Sequence, residues 1–146
     1  MKEVDFQRKL LDLIKQAGGH GFKLSNRFQS GVLDLCVALP EVRDPGGMLL
    51  MYPIISTRLI EVKVLKRRKD GQWEIGLTEL QRNFMRKHQQ AGGIAMWLGF
   101  RKGLDGEYYV SVGWDPDAQT TAGDKTASHF TIPRGKEWPI REIILG

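Results

Sequence analysis

Residues 58–65, RLIEVKVL, are apolar at five of eight positions, and the apolar residues fall on both parities. Side chains two apart in an extended chain share a face, so Leu59, Glu61, Lys63 and Leu65 point one way and Ile60, Val62 and Val64 the other. A strand that is apolar on both sides belongs inside a sheet with a layer against each face. Glu61 and Lys63 sit on that strand between two leucines, and KRRK follows at residues 66–69. A solvated face with a same-strand ion pair explains Glu61-x-Lys63 taken alone; such pairs contribute little, and the motif is short and common.

The rest of the chain builds around this strand. Phe6, Leu10, Leu13, Ile14 and Ala17 recur at helical spacing over residues 3–17, and Gly18-Gly19 stops the helix. Residues 22–28 form a weak strand candidate, and VLDLCVAL (32–39) a strong one that ends at Pro40. Residues 40–53 read as a loop and KRRKDGQW as a turn centred on Asp70-Gly71. Thr78-Glu79-Leu80-Gln81 has the form of a capping box and opens a helix to about Ala91, which Gly92-Gly93 ends. Residues 94–100 and 108–114 read as paired strands, residues 115–128 as a flexible polar loop, and WPIREIILG as either a short helix or a strand. The expectation is an α/β domain with one mixed central sheet flanked by helices. A single domain spans residues 1–146, with its core over 3–100 and a short β-rich C-terminal extension over 101–146.

Several polar residues fall where this pattern predicts burial. In the 32–39 strand, Leu33, Leu35, Val37 and Leu39 share one face, while Asp34 lies opposite with Cys36 and Ala38. An aspartate there is costly to bury unpaired and cheap beside a cation; an edge-strand or strand-start role is the alternative. On the first helix, Glu3 and Gln7 flank the apolar arc in line with Leu10 and Ile14, although a frayed first turn and the helix dipole also favour Glu3. On the second helix, Gln81 and His88 fall inside the arc of Leu80, Phe84, Met85 and Ala91, with Arg82, Arg86 and Gln89 outside it. The capping box accounts for Gln81, and a boundary position for His88.

Taken together, Asp34 and Glu61 on adjacent strands offer two hard oxygen ligands. Magnesium suits such a site, completed by waters, phosphate oxygens and a strand carbonyl such as that of Val62. Lys63, on the same face as Glu61, is positioned to orient or deprotonate a water and to stabilise charge at phosphorus. This is equipment for metal-assisted phosphodiester hydrolysis.

The ordered set Glu3-x-x-x-Gln7, Gly31-x-x-Asp34, Glu61-x-Lys63 and Thr78-x-x-Gln81, with a glycine end at Gly92-Gly93, resembles the PD-(D/E)XK nuclease superfamily. Its virus-type replication–repair nuclease (VRR-NUC) branch is the most similar, and archaeal-type Holliday junction resolvases share the core. The resemblance covers residues 3 to about 100 and implies a restriction-endonuclease-like αβββαβ core. It implies Mg2+- or Mn2+-dependent DNA cleavage in phage-type replication, recombination or repair. Asp34 and Glu61 would be metal ligands with the Val62 carbonyl, and Lys63 the catalytic lysine. Glu3 would be a helix carboxylate acting through water on the metal, and Gln81 a support from the second helix. The proline that usually precedes the aspartate is Leu33 here. Related nucleases often act as homodimers, but no dimer surface is legible in this sequence.

Arg27, Arg58, Lys66, Arg67, Arg68 and Lys69 precede or continue the two acidic strands and are the candidate phosphate contacts. A net charge of +5 over 146 residues fits a polyanionic partner. No base-reading motif is present, so selection by DNA shape (junctions, flaps, gaps) is expected over selection by sequence. A nuclease-fold DNA-binding module that does not cut is the alternative, though the intact Asp34, Glu61 and Lys63 argue against it. The single cysteine, Cys36, excludes a disulfide framework and a cysteine zinc cluster. No apolar run approaches the ~18 residues of a membrane helix. The expected location is a reducing compartment, the cytoplasm.

Overall fold

A computed structural model describes residues 1–24, 32–41 and 54–146. Helix α1 (Glu3–Gln16) is followed by strands β1 (His20–Lys23), β2 (Leu35–Glu41) and β3 (Ile54–Val64). A small hairpin, β4 (Lys66–Arg67) with β5 (Trp73–Glu74), leads to helix α2 (Glu79–Gln90). Strands β6 (Ala95–Lys102), β7 (Tyr108–Gly113) and β8 (Ser128–Ile132) and helix α3 (Ile140–Leu145) complete the chain. Six strands form one sheet in the order β1-β2-β3-β6-β7-β8. Only β3 and β6 run parallel; the other neighbours are antiparallel. The helix between β3 and β6 supplies the crossover that a parallel pair requires. This is the expected mixed sheet flanked by helices.

Strand parity sorts the two cores as the sequence pattern predicts, with one correction: β2 begins at Leu35, so Leu33 lies before the strand and packs with Leu65, Trp97 and Met85, on the side of the sheet opposite Leu35. Ile60 and Val62, with Leu35, Val37 and Leu39, pack under Phe6, Leu10 and Ile14 of α1 and Ile140, Ile143 and Ile144 of α3. Leu65, Ala95 and Trp97 face the other way, against Met85 of α2 and Ala118. No helix among the described residues is long and apolar enough to cross a membrane.

Several local expectations are corrected. Residues 115–127 are not a loose loop: Asp124 is 3% exposed and accepts from Trp97 Nε1 at 2.8 Å, the Asp115 amide at 3.0 Å and the Thr126 amide at 2.8 Å. A polar composition signals exposure only when the polar groups bond to water, and these bond to one another. Gly113 has no Cβ where one would lie 2.2 Å from Asp124 Oδ2 and 2.5 Å from the Trp97 ring. Strand β2 runs through Pro40 to Glu41 and does not end at Leu39. The proline is tolerated because β1 pairing stops at Ala38, where a missing N–H costs no ladder bond. Strand β1 starts at His20, earlier than expected, and residues 25–28 of that candidate lie outside the described residues, as do 42–53. The turn at Asp70-Gly71 is present and its flanks pair as β4 and β5. Strand β8 was not anticipated, and WPIREIILG resolves as helix α3.

The exposed arc of α2 is also rotated from the expected one. Leu80 is 55% exposed, whereas Arg82 is buried and donates to the carbonyls of Pro116 at 2.7 Å and Ala118 at 3.0 Å. The 115–118 segment covers that side of the helix, and a guanidinium satisfies carbonyls that a leucine cannot. His88 stacks on Phe84 with ring centroids 5.9 Å apart.

Candidate active site

The site lies where β2 and β3 part. Leu35 is paired with Ile60, and β3 continues through Val64 beyond the start of β2. Leu59 and Leu65 donate their amides to Ile94 and Phe100 on the β6 side. By alternation, the amides of Val62 and Val64 face the side that β2 has left. Two carboxylates fill the gap. Val62 N–H donates to Asp34 Oδ2 at 3.0 Å, and Val64 N–H donates to Glu3 Oε1 at 3.2 Å, reaching the first turn of α1. The N–H and C=O of a strand residue point the same way, so the Val62 carbonyl faces this gap as well.

Glu61 is 2% exposed. Its Oε2 accepts from the Asp34 amide at 3.2 Å and its Oε1 from Gln81 Nε2 at 2.8 Å. Lys63 Nζ stands 3.5 Å from the same Oε1, with its side chain 15% exposed. Burial, the neighbouring Asp34 charge and a hydrogen bond with the Asp34 carboxyl push Glu61 up to about 8, against the opposing pull of the Lys63 ammonium. Two carboxyl groups and one lysine thus share a partly dry recess, which favours the protonated form of Glu61.

Gln81 has two functions at once. Its Oε1 accepts from the Thr78 amide at 2.9 Å, and its own amide donates to Thr78 Oγ1 at 3.2 Å, closing the capping box. The remaining Nε2 is what reaches Glu61. The capping explanation and the site explanation, alternatives at the level of sequence, therefore hold together.

The predicted phosphate contacts divide. Lys66, Arg67, Arg68 and Lys69 are all exposed on the β4–β5 hairpin, with Arg68 3.7 Å from Asp70. Arg58 is a correction: it is buried, donates to the Ile144 carbonyl at 2.6 Å and lies over Trp114 at 5.5 Å. Its parity puts it on the α3 face, away from Asp34 and Glu61, where it binds the C-terminal turn of a helix. Arg27 lies outside the described residues. Gln7 is buried, and its Oε1 has no hydrogen-bond partner among the described residues.

Sequence reasoning missed Arg101. Lys63 lies beside Gly99 in the β3–β6 register, and Arg101 follows two residues later on the same face, about 8 Å from Lys63 by strand spacing. Its guanidinium is held 4.1 Å from the Trp73 ring centroid and 3.7 Å from that of Tyr109. The parity of β6 was the available signal.

A cation fits this donor set. Asp34, Glu61 and the Val62 carbonyl are hard oxygens, and a positive ion would relieve what raises Glu61. Among the described residues no group of three or more His, Cys, Asp and Glu side chains is gathered to hold a metal. A cation here would complete its shell with water and substrate oxygens, which is how magnesium is ordinarily held. No protein-family model, curated protein or solved structure matches the chain.

Proposed function

We propose that the chain is a divalent-metal-dependent DNA endonuclease with a PD-(D/E)XK-type core, akin to the VRR-NUC branch and selective for DNA shape. The observation that carries this reading is the Asp34–Glu61–Lys63 cluster at the parting of β2 and β3, where burial and the Asp34 charge push Glu61 upward. Asp34, Glu61 and the Val62 carbonyl would hold Mg2+ or Mn2+. The ion supplies charge neutralisation for a phosphate and acidifies water. Lys63 takes up or steadies a proton at Nζ and offsets negative charge at phosphorus. Gln81 fixes the rotamer of Glu61, and Glu3 closes the strand edge by binding the Val64 amide. The hairpin cations Lys66 to Lys69 hold the sugar–phosphate backbone, which makes binding salt-dependent.

Branched, flapped and linear DNA incubated with the protein and magnesium, then with EDTA, tests the proposal. Cleavage is expected with magnesium and none with EDTA. Asp34→Ala and Lys63→Ala should each lower the rate by ~10^3-fold or more, about 4 kcal/mol of barrier. Binding without cleavage under any divalent ion would favour a non-cutting DNA-binding module instead.

A further inference from the structure

A groove of about 950 Å³ lies outside the carboxylate cluster. Its walls are the β6–β7 turn and the turn after β8, both in the part of the chain beyond residue 100. Lys9 of α1, Lys102, Arg134 and Lys136 line it, and Tyr108 and Trp138 are its aromatic residues. Asp105 is the single acid in the lining, so the groove carries a surplus of positive charge. None of the four cations is within ion-pair distance of a carboxylate among the described residues. Tyr108 and Trp138 meet with ring centroids 5.0 Å apart. Lys9 Nζ lies 5.7 Å from the first centroid and 5.4 Å from the second, and Lys102 Nζ lies 5.8 Å from Tyr108. The charges are therefore placed over the rings as well as around a rim.

Cations interleaved with aromatic faces suit one class of polyanion. Phosphates pair with lysine and arginine, and an unpaired base can stack on the half-buried Trp138, which Tyr108 backs from the core; a double helix keeps its base faces to itself. The groove opens on the α1–α3 face, opposite the carboxylate cluster, but at the same end of the sheet. Lys102 is two residues past Phe100, which is level with Val64, the residue that Glu3 binds. Lys9 is six residues along α1 from Glu3, about 9 Å of helix.

We infer that this groove binds a single-stranded stretch of nucleic acid, guiding the unpaired part of a substrate away from the carboxylate cluster. A phosphate that draws Lys9 outward frees the Trp138 face for a base. The inference rests on the nuclease reading for its purpose but not for its test, because binding can be measured without cleavage.

Lys102 and Lys136 are exposed, so Lys102→Ala/Lys136→Ala leaves the core intact. Fluorescence anisotropy of a labelled oligothymidylate is measured in EDTA, beside a duplex of equal length and phosphatidylserine vesicles. The expected result is ~10-fold weaker single-strand binding, with the log–log salt slope reduced by about 1.4 for two lost phosphate contacts. Duplex binding should change less than ~2-fold, since it depends on the hairpin cations. Equal losses for single strand and duplex, no loss for either, or lysine-dependent vesicle binding without oligonucleotide binding each overturns the inference. If groove binding behaves as expected while no DNA is cut under any metal, the nuclease reading fails and the groove stands. If cleavage persists and single-strand binding ignores the two lysines, the groove fails and the nuclease reading stands.

Discussion

On the α1–α3 face of the sheet, Phe6 stacks on Phe100 with centroids 3.8 Å apart and planes 5° from parallel, and Trp138 closes over both Phe6 and Tyr108. On the α2 face, Trp97 spends its indole N–H on Asp124, Arg82 binds loop carbonyls, and Glu61 meets Asp34 and Lys63. The same strands supply both faces by alternation, yet the first is largely dry, with Gln7 and Arg58 as its buried polar side chains, and the other carries much of the buried polar chemistry. The difference follows from what covers them. Two helices seal the first face with apolar arcs. A single helix and an irregular segment cover the second, and an irregular segment brings backbone groups that need partners. Where β2 leaves β3, that face also opens at its edge, and the carboxylates lie there.

The dry face should govern stability and the wet face chemistry, and the largest expected effect tests that division. Phe6→Ala removes a fully buried ring and should cost about 3–5 kcal/mol in urea unfolding. Magnesium affinity of the folded fraction, measured by calorimetry, should stay within ~2-fold of the parent. A parallel collapse of metal affinity would show that the faces are one unit and break the comparison.

The next effect concerns Glu61, and its sign follows from the direction of the shift. The carboxyl is pushed from 4.5 in its ordinary state up to about 8 in the fold. Between those values the folded protein holds a proton that the unfolded chain has released. Metal-free stability must therefore fall as pH rises from about 4.5 to about 8 and level off above. Glu61→Gln, neutral throughout, should be more stable than the parent at pH 8 by on the order of a few kcal/mol, with the gap closing towards pH 4.5. Thermal melts in EDTA across that range read this directly. Magnesium should raise the melting temperature of the parent at pH 8 and leave the variant unmoved. A parent equally stable at both pH values would mean that the wet face holds no unrelieved charge.

Much of this arrangement was legible because period-2 alternation is rigid. It separated Glu61, Lys63, Leu59 and Leu65 from Ile60 and Val62, and Asp34 from Leu35, Val37 and Leu39, without any coordinates; Leu33, which precedes β2, escaped it and packs on the α2 side. The capping box likewise fixed the start of α2 within a residue. What escaped depended on partners distant in sequence. Arg58 looked like a phosphate contact because strand parity says which face a side chain takes, not that α3 will arrive there with a free carbonyl. The 115–127 segment looked loose because its satisfaction comes from Trp97 and from within itself, and no local pattern encodes that. Arg82 was misplaced for the same reason. The groove beside Trp138 joins Lys9 and Lys102 to Arg134 and Lys136, which only the folded sheet brings together.

The smallest effect separates the two functions of Gln81. Thr78→Ala and Gln81→Met each break the capping box, and each should cost about 1 kcal/mol of stability. They differ in what they do to Glu61. Thr78→Ala leaves Gln81 Nε2 free to donate to Oε1, so cleavage under saturating magnesium should change less than ~2-fold. Gln81→Met removes that 2.8 Å bond and leaves a buried carboxylate oxygen with only Lys63 nearby. Loss of such a supporting partner typically costs ~10-fold or more in activity or metal affinity. Because Nε2 donates to the ionised form, its removal should also raise Glu61 further and move the alkaline rise of the pH–rate profile upward. Equal pH profiles for the two variants would mean that Gln81 only caps the helix, and that the α2 face reaches the carboxylates through Lys63 alone.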